Sequence, residues 1–336
     1  MTALVSLPPS AAHPADAVPA VAGVPVLLEA ESPALAERLA AWTRRGLALT
    51  DGQATEAPLH IEVRSRAGRP APPPEAIEIV AIGDWRMLCS RDRVFACFTH
   101  AQGVLSPAAG RALLWLAEDW WREPLKLQQV PWLCTLAWLL RERDRFALHA
   151  SAVARNGTGL LFAGESGSGK SSSALSLIHA GWDWLADDVA LFQPGDTPHL
   201  HGIARGFGFH PALAERLPAL PKEPTANKHF AALDGLYPGR RVAACRPAAV
   251  LLPRVTGQAT SRLSRASPAA ALLALLPASG ILLASGTPDR AQAHLRALGG
   301  LVSAVPAYRL HAGQDIFGNG AALEALLAVH GVGRPG

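Results

Sequence analysis

The chain has 336 residues, 49% hydrophobic and 17% charged, with a formal net charge of +4. That length buries one large core or two modest ones, and basic residues scattered without a Lys/Arg run argue against a nucleic-acid surface. Cys89, Cys97, Cys134 and Cys245 show no C-x-x-C or paired-His spacing, so they read as reduced thiols and not as a disulfide framework or zinc site. No basic region precedes an apolar core at the N-terminus, and no apolar run approaches the roughly 20 residues of a membrane span. A cytoplasmic protein that neither binds nucleic acid nor enters a membrane is expected.

Residues 1–24 are rich in Pro and Ala without periodicity and read as a flexible arm. A small α+β N-terminal domain is expected over 25–104. It opens with a helix capped by Ser32 and Pro33, whose apolar face is Leu35, Leu39 and Trp42. Alternation then predicts strands at Leu59–Val63 and Ile77–Val80, and a hairpin of Trp85–Cys89 with Val94–Thr99. A helical connector is expected over 105–145. Its first helix starts at Ser106-Pro107 and carries Leu113, Leu114, Leu116, Trp120 and Trp121; its second runs from about Gln128 to Arg143. The tryptophans of this stretch either pack as core or line a peptide groove.

The informative stretch begins at Leu148. Leu148–Ala154 and Gly159–Ala163 flank Arg155-Asn156-Gly157-Thr158, and Asn-Gly between apolar runs is a hairpin signal. An antiparallel strand thus leads into Gly164-Glu165-Ser166-Gly167-Ser168-Gly169-Lys170-Ser171, a G-x-x-x-x-G-K-S phosphate-binding loop. Glycines at 164, 167 and 169 let successive N–H groups turn inward around phosphate oxygens, and the following helix adds the positive end of its dipole. Gly164 to Ser172 therefore form the expected nucleotide site: Lys170 serves the β/γ oxygens and Ser171 ligates Mg²⁺. Gly181 stands where a helix C-terminus is expected. Trp184 to Phe192 then places Asp187 and Asp188 at the end of a buried strand, where one acid can hold Mg²⁺ and the other can take a proton from an acceptor hydroxyl.

Leu148 to Phe192 resembles the catalytic domain of the HPr kinase/phosphorylase family, whose members share a fold with PEP carboxykinases. The order His149, G-x-S-G-x-G-K-S, helix, Gly, A-D-D fits without a gap. The resemblance implies an α/β P-loop kinase domain with a mixed sheet over 146–332, with ATP and Mg²⁺ as cofactors. It makes Asp187 the general base with His149 beside it, and Asp188 the Mg²⁺-side acid. Arg205-Gly206-Phe207-Gly208 looks like the family's R-G-x-G turn, with Ile203 where the family has an acid, which implies a kinase with little phosphorolysis. The style of the middle segment is similar to the subset that phosphorylates serine on lasso and other RiPP precursor peptides. A small carrier protein as acceptor, or a nucleotide-responsive binding module without transfer, are the alternatives; a homo-oligomer is left open.

The carboxyl part is expected to finish one mixed sheet. Residues 218–242 read as an active-site loop from which Lys228, Arg240 or Arg241 could reach the γ-phosphate. Pro247–Leu252 reads as a strand, Ser267-Pro268 starts a helix, and Asp289–Leu298 is a helix stopped by Gly299-Gly300. Val302–Leu310 reads as a strand interrupted at Pro306, and Ala321–Val329 as the last helix.

Overall fold

The structure, a computed structural model, describes residues 3–4, 18–52, 56–65, 71–203, 206–217, 219–221, 229–280 and 288–332. They fall into two compact units, one of 1–145 with 281–294 and the other of 146–280 with 295–336. Both are mixed α/β. No helix among the described residues is long and apolar enough to cross a membrane.

The first unit is built on a ten-stranded sheet. In spatial order its strands are Thr50–Gly52, Val18–Val21, Val24–Ala30, Leu59–Ser65, Arg111–Leu116, Ala101–Ser106, Arg93–Cys97, Trp85–Ser90 and Ile77–Ile82, with Ala3–Leu4 paired on Val24–Ala30. Val24–Ala30, Leu59–Ser65 and Arg111–Leu116 run parallel, and the remaining pairs are antiparallel. The helix Pro33–Gly46 starts where expected, with Ser32 Oγ accepting from the Leu35 amide at 3.3 Å. It buries Leu35, Leu39 and Trp42.

Two expectations fail in this unit. The arm is not free where it is described, because Ala3–Leu4 and Val18–Val21 are strands of the sheet; 5–17 lie outside the described residues. The helix expected from Ser106-Pro107 is one 3₁₀ turn, Pro107–Ala109, closed by Gly110 in the left-handed region at φ 65°. The strand Arg111–Leu116 follows, bonded on both edges. A short apolar run fits a central strand as well as a buried helix, and the supply of two ladder partners decides it. The second helix does form, from Leu125 to Arg141. Trp42 stacks on Trp132 at 5.0 Å and meets Trp120 at 5.3 Å, with all three rings buried, so these tryptophans are core and not a groove.

The second unit holds a nine-stranded mixed sheet, in the order Phe146–Leu148, Ala190–Gln193, His199–Gly202, Ala244–Val255, Thr158–Ala163, Ala150–Arg155, Asp183–Ala186, with Ala307–Ala312 added on Ala244–Val255 and Arg262–Ala266 on Ala307–Ala312. Ala150–Arg155 pairs antiparallel with Thr158–Ala163 around Asn156 (φ 51°) and Gly157 (φ 76°), the two left-handed residues of a tight hairpin. Thr158–Ala163 is parallel to Ala244–Val255 on its other edge. Leu160, Phe162, Leu175, Ile178, Leu251 and Leu310 are among the fully buried residues of the core that this sheet and the helix Lys170–His179 share.

The helix expected to stop at Gly299-Gly300 instead runs Pro288–Ala304. Leu298 and Leu301 are fully buried on either side of the glycines, and that burial, about 1.5–3 kcal/mol per side chain, exceeds the ~1 kcal/mol each glycine costs. The strand expected from Val302 therefore begins only after Pro306, at Ala307. The last helix, Gly320–Val329, packs against Lys170–His179 so closely that a Cβ on Gly320 would sit 2.2 Å from the Ser176 carbonyl oxygen.

These glycines give opposite predictions. Nothing lies within 4 Å of a Cβ at Gly299 or Gly300, so Gly299→Ala and Gly300→Ala should each raise stability by about 0.5–1 kcal/mol. Gly320→Ala should lower it by about 1–3 kcal/mol. Denaturant melts of the three variants measure both signs.

Candidate functional site

The glycine-rich loop Gly164–Gly169 joins the strand Thr158–Ala163 to the helix Lys170–His179. Gly164 (φ 152°), Gly167 (80°) and Gly169 (102°) all occupy conformations that a side chain disfavours, which is what an inward turn of successive amides demands. The first-turn amides of the helix have no intrahelical carbonyl to pair with. Lys170 is buried and spans the loop, its ammonium donating to the carbonyls of Gly164 (2.8 Å) and Glu165 (2.9 Å). Glu165, Ser166 and Gly167 form the exposed crown of the loop, and Ser172 continues the helix. Ser168 Oγ is buried and has no hydrogen-bond partner among the described residues. A buried hydroxyl left over in this loop fits a phosphate group, whose oxygens only accept.

Asp187 lies at the centre of the site, just past the strand Asp183–Ala186, and is 3% exposed. Its Oδ1 accepts from Ser151 Oγ at 2.5 Å and from Ser171 Oγ at 2.7 Å, and its Oδ2 accepts from the Gly208 amide at 2.8 Å. Burial pushes its pKa up, and the neighbouring charge of Asp188 adds to this, while the three donors pull it down. Asp188 differs in each respect. It is only partly buried, and its backbone takes the left-handed conformation at φ 62°, uncommon for a residue with a side chain. His149, exposed, sets its Nδ1 3.0 Å from the Asp188 carbonyl oxygen. Three segments are thereby gathered on the loop: the strand Ala150–Arg155 with His149 just before it, the acid pair, and the short strand Phe207–Phe209 that carries Gly208, where a turn was expected.

The sequence pattern brought Lys170, Ser171, Asp187, Asp188 and His149 into view; it missed Ser151 and the Gly208 amide. The signal for Ser151 was one hydroxyl in an otherwise apolar strand. Gly208 came only as part of the R-G-x-G turn. Arg205 and Lys228 lie outside the described residues. Arg240 and Arg241, expected as candidates for the γ-phosphate, are engaged elsewhere. Arg240 donates to the carbonyls of Ile178 and Trp182 and lies 3.5 Å from Asp183, and Arg241 lies 3.7 Å from Asp234. Their charges thus tie chain segments together. Ile203 is fully buried.

No protein-family model and no curated protein matches the chain. Among solved structures, the Hpr(Ser) kinase/phosphatase from Coxiella burnetii is similar at 11% identity with a TM-score of 0.30, over 55% of this chain and 95% of that one. Likeness at that level does not decide function, which is left to the geometry of the site itself. Among the described residues there is no group of three or more His, Cys, Asp or Glu side chains able to hold a metal. A cation here would need phosphate oxygens in addition to Ser171.

Because the Asp187 pKa is raised in the fold, its contribution to stability is full at pH values below the unfolded carboxyl pKa of about 3.9 and is lost as pH rises. Asp187→Asn keeps the shape: the two serine hydroxyls can turn to accept from its amide while Gly208 keeps its acceptor. The variant should therefore melt higher than the parent at neutral pH, with the gap closing as pH falls towards about 4. Thermal melts of both proteins across that range test this; a gap independent of pH would contradict it.

Proposed function

We propose that the protein is a phosphotransferase that uses a nucleoside triphosphate, ATP in the first instance, with Mg²⁺, and delivers the γ-phosphate to a serine hydroxyl of a peptide. The observation that carries this reading is the bond from the loop serine, Ser171, to the buried carboxylate of Asp187. A hydroxyl that gives its proton to a carboxylate turns its lone pairs the other way, towards the loop where a phosphate-bound cation belongs. Bound there, Mg²⁺ would neutralise charge on the phosphate oxygens. The loop amides and Ser168 Oγ supply donors to the same oxygens, and Lys170 supplies the point charge.

This geometry supports a division of labour between the acids opposite to the one the resemblance implies. A general base needs to be within reach of the acceptor, and Asp187 is buried with three hydrogen bonds accepted. Asp187 suits the metal side, and the partly exposed Asp188, its backbone anchored through His149, suits the proton. The acceptor proposed is the one the sequence resemblance suggests, a precursor peptide of the lasso or RiPP type. A folded carrier protein is the competing acceptor, and a nucleotide sensor without transfer the competing class.

Incubation with Mg²⁺·ATP and candidate peptides, read by mass spectrometry, tests the transfer, and label on a carrier protein alone would move the acceptor. Lys170→Ala should weaken nucleotide binding by roughly 10- to 100-fold, the value of a charge-assisted hydrogen bond. Asp188→Asn should keep nucleotide binding and cut transfer by about two orders of magnitude or more, whereas Asp187→Asn should act on Mg²⁺-dependent binding. Full nucleotide affinity in Lys170→Ala would overturn the site, and exchanged phenotypes of the two acids would return the base to Asp187.

A further inference from the structure

We propose that Ser151 is a positioning residue for the metal-binding half of this site: it locks the Asp187 carboxylate in the orientation that aims Ser171 at the cation. The inference rests on the phosphotransferase reading above and adds a residue to which neither the motif nor the family pattern gives a role.

Ser151 sits in the strand Ala150–Arg155 between Ala150 and Ala152, and all three are fully buried. The strand pairing is made by its backbone, with Ser151 opposite Phe162, so the hydroxyl is not needed for the ladder. A hydroxyl buried here costs desolvation and is justified only by what it bonds. Its bond is to Asp187 Oδ1 at 2.5 Å, the same oxygen that Ser171 reaches at 2.7 Å, and the two hydroxyl oxygens stand 3.5 Å apart. Two donors use both lone pairs of Oδ1, and the Gly208 amide holds Oδ2. With all three in place the carboxylate cannot rotate. If Ser151 is removed, Oδ1 keeps a single donor, and the carboxylate can turn to follow a wandering Ser171.

A residue acting through a ligand's partner in this way is worth about 10- to 100-fold in metal affinity. Titration calorimetry of nucleotide binding, with and without Mg²⁺, should show Ser151→Ala needing at least about tenfold more Mg²⁺ for half-maximal effect. Metal-free nucleotide affinity should match the parent, while the melting temperature falls because the buried carboxylate loses one donor. Ser151→Thr, which returns the hydroxyl, should recover the parent's metal requirement, and Ser151→Ala should add nothing in an Asp187→Asn background, where the carboxylate it locks is gone. An unchanged metal requirement in Ser151→Ala overturns the inference. So does an equal loss of metal-free binding, which would mark Ser151 as a packing residue. Ser171→Ala separates the two levels: if it too leaves the metal requirement unchanged, the phosphotransferase reading falls; if it shifts the requirement while Ser151→Ala does not, only the role of Ser151 falls.

Discussion

The site depends on one buried carboxylate. Asp187 sits behind the glycine-rich loop, where desolvation and a neighbouring acid oppose its ionisation, and three donors from three parts of the chain offset part of that cost. A carboxylate in so dry a place is destabilising unless its lone pairs are used. The donors are the first strand of the hairpin, the first turn of the loop helix, and the short strand Phe207–Phe209. Their convergence on a single side chain ties the chemistry to the fold. A cation in front of Ser171 would relieve part of the same electrostatic cost, which is a physical reason for the fold to tolerate it.

The loop's geometry has a comparable origin. A parallel neighbour on one edge of Thr158–Ala163 and an antiparallel hairpin on the other bury this strand on both sides, so its end is a rigid point from which the loop departs. The helix after the loop is pinned by Gly320–Val329, whose first glycine permits backbone contact, and by Ser176, whose hydroxyl accepts the Gly318 amide at 2.9 Å. Arg240 bonds the carbonyls near the far end of the same helix. These contacts hold the helix N-terminus in place beneath the glycine-rich loop, so a ligand bound there would spend no binding energy on ordering it.

The residue types, spacing and local turns of the centre of the chain could be read without coordinates. Asn156-Gly157 forms the hairpin, the three loop glycines have the conformations their spacing implies, and the helix cap at Ser32 is as expected. Readings failed where an apolar run was long enough for two answers. Arg111–Leu116 became a strand because two neighbouring strands offered it ladders, and Gly299-Gly300 stayed inside a helix because the apolar face continued beyond them. In both cases a local signal worth about a kilocalorie was outweighed by burial that only distant partners could supply.

By itself, then, the sequence determined what depends on near neighbours along the chain: a strand–loop–helix with the conformational freedom, the lysine and the hydroxyl that phosphate requires, and two acids a short strand away. Tertiary structure decided what depends on residues far apart. It set Ser151 on the same oxygen as Ser171, although 20 residues separate them, and brought the Gly208 amide to the other oxygen, 21 residues from Asp187. It also left Asp187 buried under three donors and Asp188 partly exposed, although the two are adjacent in the chain and identical in type. Hydrogen-bond saturation and burial are properties of a residue's surroundings in space, and spacing along a chain does not encode them.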